Sequence, residues 1–193
     1  MFFYLITPMH FLHKCIINWL KKLTIKSWIM SLLNKEPVKR VEMLLKQFDK
    51  NQKVIILENS ARTALDASSS LGCEVGAIVK SLLFKAGDRF ILSLVAGDNR
   101  CSLNKLKKIL NEKDVSMAFP EDVKDNTGYT IGGVSPVGHL KKCDIYVDKS
   151  LERFSDIFGA AGHPNAVFKI NYNDLLKMTK GLPKDIVEWE NQN

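Results

Sequence analysis

The 193-residue sequence has few of the spaced clusters on which familiar catalytic chemistries depend. Its four cysteines, Cys15, Cys73, Cys101 and Cys143, are widely scattered with no C-x-x-C pair, and only His139 and His163 lie outside the first 29 residues. Such spacing argues against a zinc site and leaves single thiols in a reducing compartment as the default. No metal and no other cofactor is expected. No G-x-G-x-x-G follows a strand and no G-x-x-x-x-G-K-[ST] occurs, so dinucleotide and P-loop readings fail. Ser135 sits in G-V-S-P-V-G, which is one residue too long for the G-x-S-x-G nucleophile elbow. H-E-x-x-H is absent, and the acids fall mostly on helix faces or in turns, which excludes a paired-carboxylate site. Repeats, low-complexity tracts and internal linkers are missing too, so the chain fits one domain with a full-size core.

Charge is also less than it seems. The net charge is +7, but residues 1–29 hold four lysines and no acid. Residues 30–193 therefore carry 24 basic against 21 acidic residues, a net +3, and bulk charge alone implies no nucleic-acid partner. The first 29 residues are apolar, aromatic and basic. They lack a signal peptide's basic start and small-residue cleavage site, and His10, His13, Lys14, Lys21 and Lys22 interrupt any membrane span. Two readings stand: an extension ahead of a start at Met30, which is favoured, or a surface-lying amphipathic helix through Leu12, Ile16, Trp19, Leu20 and Leu23. Stable membrane insertion is not expected, and residues 30–193 form the working domain.

What is present is a mixed α+β pattern. Pro37 opens a helix whose Val38, Val41, Leu44, Leu45 and Phe48 share a face. Val54–Leu57 is a short strand. Thr63 and Asp66 cap a helix that stops at Gly72. Ile78–Phe84 and Phe90–Val95 form a hairpin across Lys85–Arg89. Ser102 caps a basic helix, Leu103–Leu110. Val115–Ala118, Ile145–Val147, Ser155–Phe158 and Ala166–Ile170 are further strands, the last two flanking a turn at Gly162–Asn165. Glu121–Asn126 and a helix from Asn171 to Met178 complete the set, with at least six strands in all. Asp148 caps the turn Lys149–Arg153.

Two stretches stand out. Gly128–His139 (GYTIGGVSPVGH) packs four glycines and Pro136 into twelve residues, a composition suited to binding a carbonyl or phosphate through main-chain amides. In Glu74–Phe84, Lys80 interrupts an apolar strand, and Ser81 beside it points to the opposite face if the strand is regular.

These stretches, in the order ARTALDASSSLGCEVGAIVKSLLF, FILSLVAGDNRCSLNKLKKIL, TGYTIGGVSPVGH, YVDKSLERF and AAGHPNAVFKI, resemble the YbaK/ProX family of free-standing aminoacyl-tRNA editing domains, which are similar to the editing insertion of bacterial prolyl-tRNA synthetase. The resemblance spans about Val38 to Gly181. It implies a single compact α+β domain with a mixed, barrel-like sheet flanked by helices. The implied activity is hydrolysis in the cytoplasm of the ester of a misacylated tRNA, most often proline tRNA carrying cysteine, alanine or another small amino acid. Lys80 falls on the family's essential lysine, and Gly132-Gly133-Val134-Ser135-Pro136 on its G-x-x-x-P loop. Lys80, Gly132 and Gly133 are then the catalytic candidates, with Ser135, Pro136, Gly162 and His163 lining the substrate site. Arg100, Lys105, Lys107, Lys108, Lys141 and Lys142 are candidates for phosphate contacts. The partners implied are aminoacylated tRNA and a prolyl-tRNA synthetase. The alternative is a non-catalytic tRNA- or synthetase-binding module on the same scaffold; Lys80 together with the complete loop favours the enzyme.

Overall fold

A computed structural model describes residues 7–58 and 61–188, with side chains from Leu20 onward. The chain forms a mixed α+β domain whose eight-stranded sheet curls into a half-barrel. Its helices are α1 (Thr7–Leu33), α2 (Glu36–Phe48), α3 (Ala64–Leu71), α4 (Leu103–Leu110), α5 (Pro120–Thr127) and α6 (Tyr172–Thr179). Its strands are β1 (Val54–Ile56), β2 (Ile78–Ala86), β3 (Arg89–Ala96), β4 (Arg100–Cys101), β5 (Val115–Met117), β6 (Asp144–Asp148), β7 (Ile157–His163), β8 (Ala166–Ile170), β9 (Leu182–Lys184) and β10 (Val187–Glu188). The large sheet runs β1-β8-β7-β2-β3-β6-β9, with β5 also on β2, and β4 and β10 pair separately.

Local chemistry explains most elements. Thr63, Ser102 and Asn171 each accept a hydrogen bond from the N–H three residues on, which satisfies a donor that the first helical turn leaves unpaired. Gly72 and Gly128 end α3 and α5 in the left-handed conformation. Strand β3 is buried on both faces from Ile91 to Ala96, in keeping with an apolar run that only Ser93 interrupts. Leu92 and Leu94 pack with Val38, Val41 and Leu45 of α2 and Leu175 of α6; Ile91 and Val95 pack with Leu106 and Leu110 of α4 on the other side. Ala67 of α3 covers Ile78 and Val167 in a third, smaller cluster.

Two features depart from the sequence reading. Strand β7 starts at Ile157 rather than Ser155 and runs through Gly159–Gly162 to His163, so that histidine ends a strand rather than sitting within the turn. A cluster of small residues carries no β signal of its own, and pairing with β8 imposes the strand. Two short strands, β9 and β10, follow α6, the last element expected from the sequence; Pro183 masks the first, which lies at the sheet edge. At the other end of the described chain, α1 is one helix running through position 30. Ile29, Leu32 and Leu33 turn toward the body, while Leu20, Leu23, Ile25 and Met30 stay exposed. No helix among the described residues is long and apolar enough to cross a membrane.

Candidate active site

The site follows from a split in the sheet. One edge of β2 is taken along its length by β3. The other is shared: β7 pairs in parallel with Ile78 and Val79, while β5 pairs antiparallel with Phe84–Ala86. Between the two, Lys80–Leu83 have no strand neighbour on that edge among the described residues. A cavity of about 670 Å³ fills the gap and touches all five residues from Val79 to Leu83. That explains how Lys80 and Ser81, on opposite faces of a regular strand, both line it.

The lining is mostly apolar: Ala61, Ala64, Ala67, Val75, Ala118, Val123, Val134, Phe158, Ala160 and Val167 among others. Its charged side chains are Arg62 and Lys80, and no carboxylate lines it among the described residues. Exposed Leu65, Met117 and Ile131, which are 64%, 54% and 63% accessible, place apolar surface on its open side. Lys80 Nζ donates to the carbonyl oxygen of Asn99. Ser81 Oγ is buried with no hydrogen-bond partner among the described residues.

The glycine-rich loop forms the wall opposite. Tyr129 Oη bonds to the carbonyl oxygens of Val137 (2.7 Å) and Gly138 (2.9 Å), which ties the loop into a closed arch. Arg40 stacks over the Tyr129 ring at 4.7 Å. Gly132 lines the cavity. Gly133 does not; its N–H donates to Thr130 O at 2.9 Å and is spent on the loop's own turn. It is glycine for closeness, since a Cβ there would lie 3.0 Å from both N and Cα of His163. The loop thus packs backbone to backbone on the end of β7, which brings His163 to the cavity with Lys80 and Gly132.

His163 Nδ1 accepts from the N–H of Asn165 at 3.1 Å, and Lys35 Nζ lies 3.1 Å from Nε2. Burial, and then the lysine's charge, push its pKa below the ordinary histidine value and favour the neutral ring. Gly162 is buried beneath Pro37 with φ +84° and does not line the cavity.

Other candidates lie elsewhere. Ser135 is fully buried, its Oγ accepting from Val137 N–H at 3.3 Å. Pro136 faces a second hollow behind the loop, of about 970 Å³, with His139, Lys141, Lys142, Lys177, Lys180, Arg40 and Asp144. There His139 Nε2–H donates to Ser135 O at 2.8 Å, and burial lowers its pKa. Arg100, Lys105, Lys107 and Lys108 lie outside both hollows. Lys105 bonds Asp185 and the carbonyl of Val187, each at 2.7 Å, so it holds β10 in place. Among the described residues no cluster of histidine, cysteine and acids could hold a metal. Burial raises the Cys101 and Cys143 thiols to about 11, well above the range where a thiolate forms at neutral pH.

Comparison with known proteins adds an independent line. Residues 58–178 match the family model described as "Aminoacyl-tRNA editing domain". The chain is 32% identical to "Uncharacterized protein YwhH" of Bacillus subtilis over 72% of this chain and 88% of that one. It is 30% identical to the "Putative Cys-tRNA(Pro)/Cys-tRNA(Cys) deacylase EbsC" of Enterococcus faecalis, over 66% of this chain and 79% of that one. Several proline–tRNA ligases also match over a small part of their length; that of Thermosipho melanesiensis is 31% identical over 65% of this chain and 22% of the ligase. Among solved structures, the "Crystal structure of a putative trans-editing enzyme for prolyl tRNA synthetase" superposes with a TM-score of 0.76 at 36% identity, covering 80% of this chain and 99% of that one.

Proposed function

The chain belongs to the aminoacyl-tRNA editing domain family, and from that premise we propose that it is a trans-acting deacylase that hydrolyses the ester of misacylated tRNA. The substrate proposed is proline tRNA carrying cysteine, alanine or a similarly small amino acid, and the place of action is the cytoplasm, where tRNA is charged. The observation that carries this reading is the cavity in the split of β2, where one lysine, one loop glycine and a neutral-leaning histidine meet without a carboxylate among the described lining residues.

An aminoacyl ester is already activated, so the protein's task is to hold it and to stabilise the oxyanion that forms when water adds to the carbonyl carbon. The carbonyl π electrons move to its oxygen. The ester C–O bond then breaks, and the departing ribose oxygen takes a proton that derives from the attacking water. Lys80 supplies a charged donor on a rigid strand for the carbonyl side or for the terminal phosphate. The Gly132 amide is the loop's candidate oxyanion donor, since the Gly133 N–H is already bonded. With no carboxylate base among the described lining residues, the water is positioned by neutral groups of the site and of the substrate. Leu65, Met117 and Ile131 offer apolar surface for the terminal adenosine. A synthetase that docks the domain is the partner proposed for selecting the tRNA.

The test is deacylation of proline tRNA charged separately with cysteine, alanine and serine. Release of one of these, with prolyl-tRNA spared, supports the reading. Tight tRNA binding without release of any would instead favour a non-catalytic binding module.

A further inference from the structure

Lys80 is gripped from behind by a buried polar chain that the hydrolysis itself does not use. The turn Gly97–Asn99, after β3, is fastened to the helical turn Lys149–Arg153 at two levels. At the surface, Arg153 Nη2 reaches both carboxylate oxygens of Asp98 at 3.0 Å. Below it, Asn99 Nδ2 donates to Ser150 Oγ at 2.9 Å, and the Ser150 hydroxyl donates to Asp148 Oδ2. The same carboxylate accepts from the N–H of Ser150 at 3.0 Å and, through Oδ1, from the N–H of Ile186 at 3.2 Å. Asn99, Ser150 and Asp148 are only 8%, 8% and 1% exposed. The chain ends at the Asn99 carbonyl oxygen, which accepts from Lys80 Nζ, while the Asn99 N–H closes the turn on Ala96 O at 3.1 Å.

We propose that Asn99, Ser150 and Asp148 are positioning residues that fix the Asn99 carbonyl and thereby aim the Lys80 ammonium at the cavity; the proposal rests on the deacylase reading. A lysine head sits on a flexible four-carbon stem and is poorly directed by itself. Fixing one of its three N–H bonds on an immobile carbonyl sets the direction of the others before substrate arrives, at the cost of burying a carboxylate that must be fully bonded. The Asp148 oxygens meet that condition with two amides and a hydroxyl.

Two measurements test it. In single-turnover deacylation, Asn99→Ala lowers the rate constant between about ten- and a hundredfold with substrate affinity unchanged, and costs nothing further in a Lys80→Ala background. Losses that add in the double variant overturn the proposal. The second measurement needs no activity: competitive acetylation of lysines with acetic anhydride, read by mass spectrometry with Lys107 and Lys108 as internal references. Asn99→Ala and Ser150→Ala each speed labelling of Lys80 severalfold, because the Asn99 main-chain carbonyl, no longer held in place by the bond from its side chain to Ser150, engages the lysine head less of the time and leaves it more open to the reagent, whereas Asp98→Ala, which cuts only the surface clamp, leaves it unchanged. Unchanged Lys80 labelling in Asn99→Ala, or an equal rise in Asp98→Ala, overturns the relay. A wild type that releases no amino acid but shows the labelling pattern overturns the deacylase reading and leaves the relay standing.

Discussion

Two hollows share the Gly128–His139 loop as a wall and differ in almost everything else. The one in front, about 670 Å³, is mostly apolar, with Lys80 on a central strand and Arg62 at a loop. The one behind, about 970 Å³, carries Arg40, Lys141, Lys142, Lys177 and Lys180 against Asp144, and is floored by Met43, Leu44 and Phe48. By count of charges the rear hollow is the stronger electrostatic feature. A solvated charge is worth little, because water and salt screen it, while a single half-buried charge on a rigid strand acts at far lower dielectric. The front hollow is accordingly read as the place of chemistry, and the rear one as a solvated surface.

That contrast can be broken, and the largest effect is expected at the front. Lys80→Arg keeps the charge but replaces a compact head by a planar fork that cannot occupy the same place against Asn99 O. Deacylation is expected to fall by about 10²-fold or more, the scale of losing one preorganised donor, with the urea midpoint of unfolding unchanged. A midpoint that falls with the activity would show Lys80 to be structural.

The next effect is on stability and belongs to the seam between the hollows. Gly162 has φ +84°, and a Cβ there would lie 2.7 Å from both C and O of Pro37. Gly162→Ala therefore combines backbone strain with a clash against backbone and is expected to cost about 2–4 kcal/mol by urea denaturation. A loss under about 1 kcal/mol would mean that α2 moves aside easily.

A smaller effect follows from the histidines, one at each hollow. Burial holds both His139 and His163 below the ordinary value of 6.5, with Lys35 adding to the effect at His163 and Arg40 at His139. A depressed pKa means that the unfolded chain binds protons which the folded chain refuses, so stability is complete above pH 6.5 and declines as pH falls through the folded values. The melting temperature is expected to drop between pH 7 and pH 5, and His139→Gln to flatten the drop. A melting temperature that rises on acidification would contradict it. Smaller still is Asp98→Ala, which cuts an ion pair whose partners are 38% and 42% exposed and is expected to cost less than about 1 kcal/mol in denaturation.

Much of this was legible in the sequence because it is local. The caps at Thr63, Ser102 and Asn171, the β2–β3 hairpin and the arch of glycines depend on neighbours a few residues away, and each stands where its residues indicate. Lys80 stood out as a charge in an apolar strand. What stayed hidden depends on distant pairing. The split edge of β2 arises because β7, nearly eighty residues later, pairs with its first two residues only. Neither partner's composition announces where the pairing stops. For the same reason Arg62, in a loop, and Asn99, in a turn, gave no signal of nearness to the lysine. Gly133 was a catalytic candidate through the family resemblance; that its N–H donates within the loop is a matter of turn geometry, which composition does not carry.

The most direct test of the contrast sets both hollows in one assay: single-turnover deacylation of cysteinyl- and alanyl-tRNA(Pro) by the wild type, by Lys80→Ala, and by a Lys141→Ala/Lys142→Ala double variant, at two salt concentrations. The account predicts that Lys80→Ala loses at least about 10²-fold at either salt, while the double variant stays within about threefold of wild type and its loss fades as salt rises. Full activity in Lys80→Ala, or a collapse confined to the double variant, would contradict it and move the chemistry to the rear of the loop.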